Sequence, residues 1–192
     1  FAGLAFSTKY PAGVLFLCGI FVQSFFLWKN KIRFISFIPQ YLFGASIFVI
    51  PWLMKNFVLT GNPVYPFFFA SGAMDSTRIR VYQGAMPFGN LMDLFLLPIR
   101  ATIFGIDGTE GYSVSIGPFF LAFSILVVLG WEKIKSVEKK QILYWAIFSM
   151  IGIGIWAVGN QISGYLIQTR FYYGLFPAFS ILAAYGYDNL KK

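Results

Sequence analysis

Residues 141–159 read QILYWAIFSMIGIGIWAVG, and this uncharged stretch decides the fold. A helix that spans a membrane needs about 20 mostly apolar residues, and this stretch comes near that length. Four further runs also come near it. We therefore predict an all-α fold, a polytopic bundle of about five transmembrane helices. The other runs are Ala12 to Trp28, Phe34 to Met54 (interrupted by Pro39 and Pro51), roughly Val114 to Trp131, and Phe171 to Tyr187 (with Pro177 inside it).

The composition of the whole chain agrees with a membrane protein. Hydrophobic residues make up 58% of the 192 residues and charged residues only 11%, with a mean hydropathy of +0.70. Soluble domains carry about 25% charged residues, so this chain has too little polar surface for a water-facing shell. Disordered chains and coiled coils are excluded for the same reason.

Several catalytic chemistries are excluded within this sequence. It contains no histidine, so Ser-His-Asp and Cys-His catalysis and imidazole metal sites are absent from it. Its one cysteine, Cys18, excludes an internal disulfide and favours simple packing. No cofactor and no resident metal site are predicted; a divalent cation would need carboxylate and carbonyl ligands.

The basic residues predict the orientation of the spans. Nine lysines and arginines fall on one side of the membrane if every span crosses it, and cytoplasmic loops are enriched in such residues. The same bias accounts for the net charge of +8, so nucleic acid is not a predicted partner. Lys9, the stretch from Lys55 to about Ser113, and Arg170 then face outward. The nine are Lys29, Lys31, Arg33, Lys133, Lys135, Lys139, Lys140, Lys191 and Lys192.

The outward stretch, about residues 55–113, is the largest region between spans. Its segment Asn90 to Phe104 is apolar but holds Asp93 and Arg100, with a break expected at Pro98. It fits an amphipathic helix on the membrane, a re-entrant element or a short sixth span. We treat residues 1–192 as a single transmembrane domain. Because the chain opens mid-pattern at Phe1 rather than at Met, we expect it to be a fragment of a longer chain.

Cations at the outward ends of helices call for an explanation, because positive-inside bias disfavours them there. One explanation is that these cations bind an anionic lipid headgroup, since arginine matches phosphate bidentately and lysine supplies a point charge. Lys9 and Arg170 are the main candidates, and Lys9 follows small residues at Gly3 and Ala5 that predict close backbone approach. The other outward cations are Lys55, Arg78, Arg80 and Arg100. The outward carboxylates are Asp75, Asp93, Asp107 and Glu110. The segment from Asp107 to Glu110 is typical of a turn, and a general base or a metal ligand is the alternative.

Three motifs follow one another along the chain. The first is Gly3-Leu4-Ala5 followed by Thr8-Lys9. The second runs from Pro51-Trp52 through Lys55-Asn56 to Thr60-Gly61-Asn62-Pro63-Val64-Tyr65-Pro66-Phe67. The third is Thr169-Arg170-Phe171-Tyr172 with Pro177 after it. Together these motifs resemble glycosyltransferases of the GT-C fold, which use polyprenyl-phosphate carriers and include the protein O-mannosyltransferases and the aminoarabinose transferase of lipid A.

The resemblance implies transfer of a sugar from the carrier to a glycan, lipid or protein acceptor on the outer face of the bilayer, in the bacterial inner membrane. It implies that Lys9 and Arg170 bind the lipid phosphate. Lys55, Asn56 and Asn62 would line the site, and Arg78 and Arg80 are further lining candidates. The acidic general base of the family would lie before Phe1, so the catalytic residue is not assigned here.

Two other classes of function remain open from the sequence. One is a non-enzymatic membrane protein of surface-polysaccharide export, such as a flippase or transporter. Transporters more often place ionisable residues in mid-span, which the five runs lack. The other is a protein like the O-antigen polymerases or ligases, which the absence of histidine disfavours.

Overall fold

The computed structural model describes residues 1–65, 90–103, 116–162, 166 and 168–190. Within these ranges the chain is helical and contains no β-strand, so the predicted all-α class is confirmed. The helices are α1 (Ala2–Thr8), α2 (Gly13–Lys29), α3 (Phe37–Thr60), α4 (Leu91–Ile103), α5 (Pro118–Leu129), α6 (Ser136–Ile162) and α7 (Phe176–Leu190). Short 3₁₀ segments cover Tyr10–Ala12, Phe34–Ser36, Trp131–Lys133 and Thr169–Leu175.

Three helices in the described ranges are long and apolar enough to cross a membrane, which makes the chain an integral membrane protein. They are Tyr10–Lys29, Phe37–Thr60 and Ser136–Gln161, of 20, 24 and 26 residues. At about 1.5 Å per residue each reaches the roughly 30 Å thickness of the hydrocarbon core. Helix α5 has 12 residues, and the fifth predicted run begins as a 3₁₀ segment. The count of five spans therefore stays a prediction.

The predicted end of the second span at Met54 is wrong, because α3 continues to Thr60. The helix ends at Gly61, whose φ of 73° is the left-handed conformation that glycine adopts most easily. The charge of Lys55 ends the apolar run of the sequence, but Lys55 lies inside α3, a helix long enough to span a membrane. Lys55 and Asn56 thus belong to a helix rather than to the outward loop.

The expected break at Pro98 is also wrong, because α4 runs through this residue. A capping box fixes the start of the helix: the Met92 N–H donates to Asn90 Oδ1 (2.9 Å), and the Asn90 N–H donates to Asp93 Oδ2 (2.6 Å). The buried Asp93 carboxylate also pairs with Arg100, on the other side of the proline. These contacts hold the helix together around a residue that lacks an N–H.

The chain divides into two compact units, and the first contains α1, α2 and α3. Gly3 on α1 lies against the backbone of α3, since a Cβ at Gly3 would lie 2.6 Å from Ala45 Cα. The close approach predicted for the small residues before Lys9 is therefore confirmed. Helices α2 and α3 are joined by the Tyr41 hydroxyl, which donates to the Phe16 carbonyl oxygen (2.9 Å).

The second unit contains α4 to α7. Gly186 on α7 meets the backbone of α5 at Phe123, and this is a tight contact between two helices. Next to it, the Tyr185 hydroxyl donates to Gln141 Oε1 at the start of α6 (2.6 Å). The single domain predicted over 1–192 stays a prediction. One buried apolar cluster of this unit comprises Val127, Ile134, Ile142 and Leu182.

Candidate functional site

A hydrogen-bonded cluster in the first unit connects the residue after Lys9 to the end of α3. The side chain of Asn56 is buried, and its Nδ2 donates to the Tyr10 hydroxyl oxygen (2.7 Å) and to the Pro63 carbonyl oxygen (3.4 Å). The Tyr10 hydroxyl also donates to the Pro63 carbonyl oxygen (3.4 Å). Tyr10 and Asn56 are 46 residues apart in sequence. The structure thus connects the residue that follows the first motif with Asn56 of the second motif.

Asn62 builds the turn that follows α3. Its side chain is fully buried, and its Oδ1 accepts a hydrogen bond from the Val64 N–H (3.0 Å). The Tyr65 N–H donates to the Asn62 carbonyl oxygen (3.2 Å), and the Thr60 hydroxyl donates to the Asn56 carbonyl oxygen (2.8 Å). This is an Asx turn, in which a side-chain oxygen replaces a backbone acceptor. In the structure Asn62 shapes the backbone of the second motif.

Lys55 lies one helical turn after Trp52 and contacts it. Its Nζ is 4.0 Å from the centroid of the indole ring, a cation–π contact. The same indole meets Tyr10 edge-to-face, with ring centroids 6.4 Å apart. Trp52 Nε1 is buried, and no acceptor within the described part of the chain bonds it. The cluster therefore combines an exposed ammonium group with a buried, unused N–H donor.

Lys9 lies in extended backbone between α1 and the 3₁₀ turn that leads into α2. Its side chain is exposed, and the next residue is Tyr10 of the cluster. An exposed ammonium group at the start of a spanning helix is positioned to meet an anion at the membrane surface. Of the residues predicted for the site, the first unit thus contains Lys9, Lys55, Asn56 and Asn62.

Arg170 lies in the second unit, in the 3₁₀ segment before α7. Its side chain is exposed, and the guanidinium carbon is 5.5 Å from the centroid of the Phe171 ring. The neighbouring Tyr172 points inward and stacks on Trp156 of α6, with ring centroids 4.7 Å apart. The stack of Tyr172 on Trp156 anchors the 3₁₀ segment to α6, and Arg170 lies on the exposed side of this segment.

Three polar side chains of the second unit were given no role from the sequence, although Thr169 belongs to the third motif. Asn160 Oδ1, Gln168 Oε1 and Thr169 Oγ1 are buried, and no donor in the described ranges bonds them. Asn160 and Thr169 are 3% and 0% exposed. Single polar residues in apolar sequence look like ordinary helix packing. The sequence does not show that these oxygens lack a hydrogen-bond donor, because that depends on the three-dimensional arrangement.

The remaining charged candidates divide into two groups. Asp93 and Arg100 form an ion pair within α4, so the charge of each is balanced by the other. Arg78, Arg80, Asp75, Asp107 and Glu110 lie outside the described residues. Across the described part of the chain, no three residues among Asp, Glu, His and Cys form a possible metal site. The predicted lack of a cofactor stays a prediction.

Comparison with known proteins adds no family. No protein-family model, no curated protein and no solved structure matches the chain. The resemblance to GT-C glycosyltransferases therefore depends on the three motifs alone.

Proposed function

We propose that this chain belongs to a membrane glycosyltransferase. The enzyme moves a sugar from a polyprenyl-phosphate carrier to an acceptor hydroxyl on the outer face of a bacterial inner membrane. The observation that carries the proposal is the hydrogen bond between Asn56 and Tyr10 (2.7 Å). It joins Asn56 of the second motif to the residue that directly follows Lys9 of the first motif, and the resemblance assigns both motifs to one site. Lys9 precedes this contact directly, and Lys55 precedes Asn56.

The proposed chemistry uses the outward cations to stabilise a leaving group. The acceptor oxygen forms a bond to the anomeric carbon of the sugar, and the bond between that carbon and the carrier phosphate breaks. The electron pair stays on the phosphate, and a general base takes the acceptor proton. Lys9 and Arg170 balance the charge that grows on the departing phosphate. No carboxylate of the described residues is assigned as the base.

The proposal includes five spans, with Lys9 and Arg170 on the outer side. Helices α2, α3 and α6 supply three of them. The 3₁₀ segment Thr169–Leu175 and α7 contain 22 residues together (7 and 15), enough for about 36 Å of chain. Helix α5 covers about 18 Å, so its span needs residues before Pro118.

A sugar-transfer assay tests the function. We expect Lys9→Ala and Arg170→Ala each to lower transfer from a polyprenyl-phosphate sugar about tenfold or more, because each removes a charge-assisted contact to phosphate. The measurement follows labelled sugar in membranes that contain the full-length protein. Lys133→Ala, a matched change in a predicted cytoplasmic loop, should leave the rate unchanged.

Charge-conserving variants separate a phosphate contact from a folding defect. Lys9→Arg should recover much of the activity that Lys9→Ala loses. If both alanine variants turn over at the wild-type rate, Lys9 and Arg170 are not in the site. A full-length protein that moves lipid-linked sugar across vesicles without transferring it would favour the flippase class.

Cysteine labelling tests the orientation independently. Cys18 is the single cysteine of these 192 residues and is fully buried, so it does not compete with engineered cysteines for the label. We expect Lys9→Cys and Arg170→Cys to react with a membrane-impermeant maleimide from outside intact cells. Lys139→Cys should react only after the membrane is permeabilised. Labelling of all three from the same side would contradict the proposed topology.

A further inference from the structure

The end of α2 has an unusual residue at its turning point. The Lys31 N–H donates to the Trp28 carbonyl oxygen (3.0 Å), and the Ile32 N–H donates to the Leu27 carbonyl oxygen (2.9 Å). This is a Schellman motif, in which the turning residue is usually glycine. Here it is Lys31, with a φ of 56°. A lysine in this left-handed conformation costs stability that glycine would not.

Beside this turn lies an open depression of about 470 Å³. Both of its cationic side chains, Lys31 and Arg33, are exposed. The first acidic residue of the whole sequence is Asp75, so the sequence around these cations offers no carboxylate to neutralise them. The depression is lined by Trp28, Lys31, Ile32, Arg33 and Ile35.

The other side chains that line the depression are apolar and exposed. Trp28, Ile32 and Ile35 are 65%, 55% and 66% exposed. Three exposed apolar side chains would contribute nothing to the binding of a small soluble anion. Tryptophan and arginine at the end of a spanning helix lie where lipid headgroups meet acyl chains. The combination of two cations with an apolar wall matches an amphipathic anion.

We infer that this depression binds the headgroup of an anionic glycerophospholipid. Arg33 and Lys31 contact the phosphate, and Trp28 with the two isoleucines contacts the glycerol backbone and the upper acyl chain. The conformational cost at Lys31 is accounted for, because glycine at that position would remove one of the two cations. This site is separate from the proposed sugar-transfer site and does not depend on it.

Lipid titration of the purified full chain tests the site. We use phosphatidylglycerol in a neutral detergent, follow binding by native mass spectrometry, and compare it with phosphatidylcholine. Each cation at a lipid surface contributes about fivefold in affinity. We expect Lys31→Gln with Arg33→Gln to weaken binding of phosphatidylglycerol about 25-fold. Lys133→Gln with Lys135→Gln, a control with the same loss of charge, should change it by less than about threefold.

Two further arms distinguish this site from diffuse charge attraction and from a site for soluble anions. Lys31→Gly should lower lipid affinity about fivefold while the thermal stability of the lipid-free protein stays equal or rises, because the strained residue is gone. Equal losses of affinity in the two glutamine pairs would overturn the site in favour of diffuse attraction. Displacement of the lipid by soluble glycerol phosphate at equal concentration would overturn the lipid assignment.

Discussion

Gly186→Ala is expected to destabilise the second unit by about 3 kcal/mol. A Cβ at this position would lie 2.7 Å from the carbonyl carbon of Phe123 and nearer still to its oxygen. These are backbone atoms of α5, which cannot rotate away as a side chain can. Overpacking of this kind costs about 1–3 kcal/mol where neighbours can shift and more where they cannot. Thermal unfolding in detergent, followed by circular dichroism, measures the effect.

Gly154→Ala is the matched control, because the same atom is added on a helix where nothing lies within 4 Å. Alanine favours a helix over glycine by about 1 kcal/mol, so this variant should be as stable as the wild type or more stable. Similar losses in both variants would show that the cost comes from the helix itself. The contact between Gly186 and Phe123 would then not explain it.

Asn56→Ala is expected to destabilise the first unit by about 2–3 kcal/mol. The change removes the donor to the Tyr10 hydroxyl and to the Pro63 carbonyl oxygen. Leaving buried polar groups without partners costs about 1–3 kcal/mol. Since Pro63 belongs to the turn built by Asn62, we also expect faster proteolysis near this turn. Denaturation in detergent gives the stability, and limited proteolysis reports the turn.

A double-mutant cycle with Tyr10→Phe isolates the hydrogen bond. The two substitutions together should cost clearly less than the sum of the single changes, because either one already breaks the contact. Asn30→Ala is the control: its side chain donates to the Phe26 carbonyl oxygen (2.8 Å) at an exposed helix end. It should cost less than about 1 kcal/mol. Fully additive losses for Asn56 and Tyr10 would contradict the cluster.

The class of the fold could be predicted from the sequence, but the ends of its helices could not. Apolar runs such as residues 141–159 identify spanning helices because the bilayer imposes both length and composition. The run before Met54 ends where the charge of Lys55 begins, whereas the helix ends where Gly61 turns the backbone. Pro98 is a second example. Proline disfavours a continuous helix, but the capping box at Asn90 and the ion pair of Asp93 with Arg100 keep α4 continuous through it.

For the candidate site, the sequence supplies residue types but not their arrangement. The motifs pointed to Lys9 and Asn56, but their connection depends on Tyr10, which lies 46 residues from Asn56 and is outside all three motifs. Asn62 differs, because its side-chain oxygen accepts a hydrogen bond within its own turn. Thr169 belongs to the third motif, but the motif does not indicate that its hydroxyl oxygen is buried and without a partner in the described residues.

The seven residues from Thr169 to Leu175 are wound more tightly than the α-helix that they lead into. Stretches of 3₁₀ helix longer than three or four residues are uncommon. Each residue rises about 2.0 Å in this form and about 1.5 Å in an α-helix. Rewinding all seven would therefore shorten the segment by about 3.5 Å and swing its first residues around the axis. Arg170 is the second residue of the segment and would move with its first turn. The winding of the 3₁₀ segment therefore sets the position of the Arg170 guanidinium group along the helix axis.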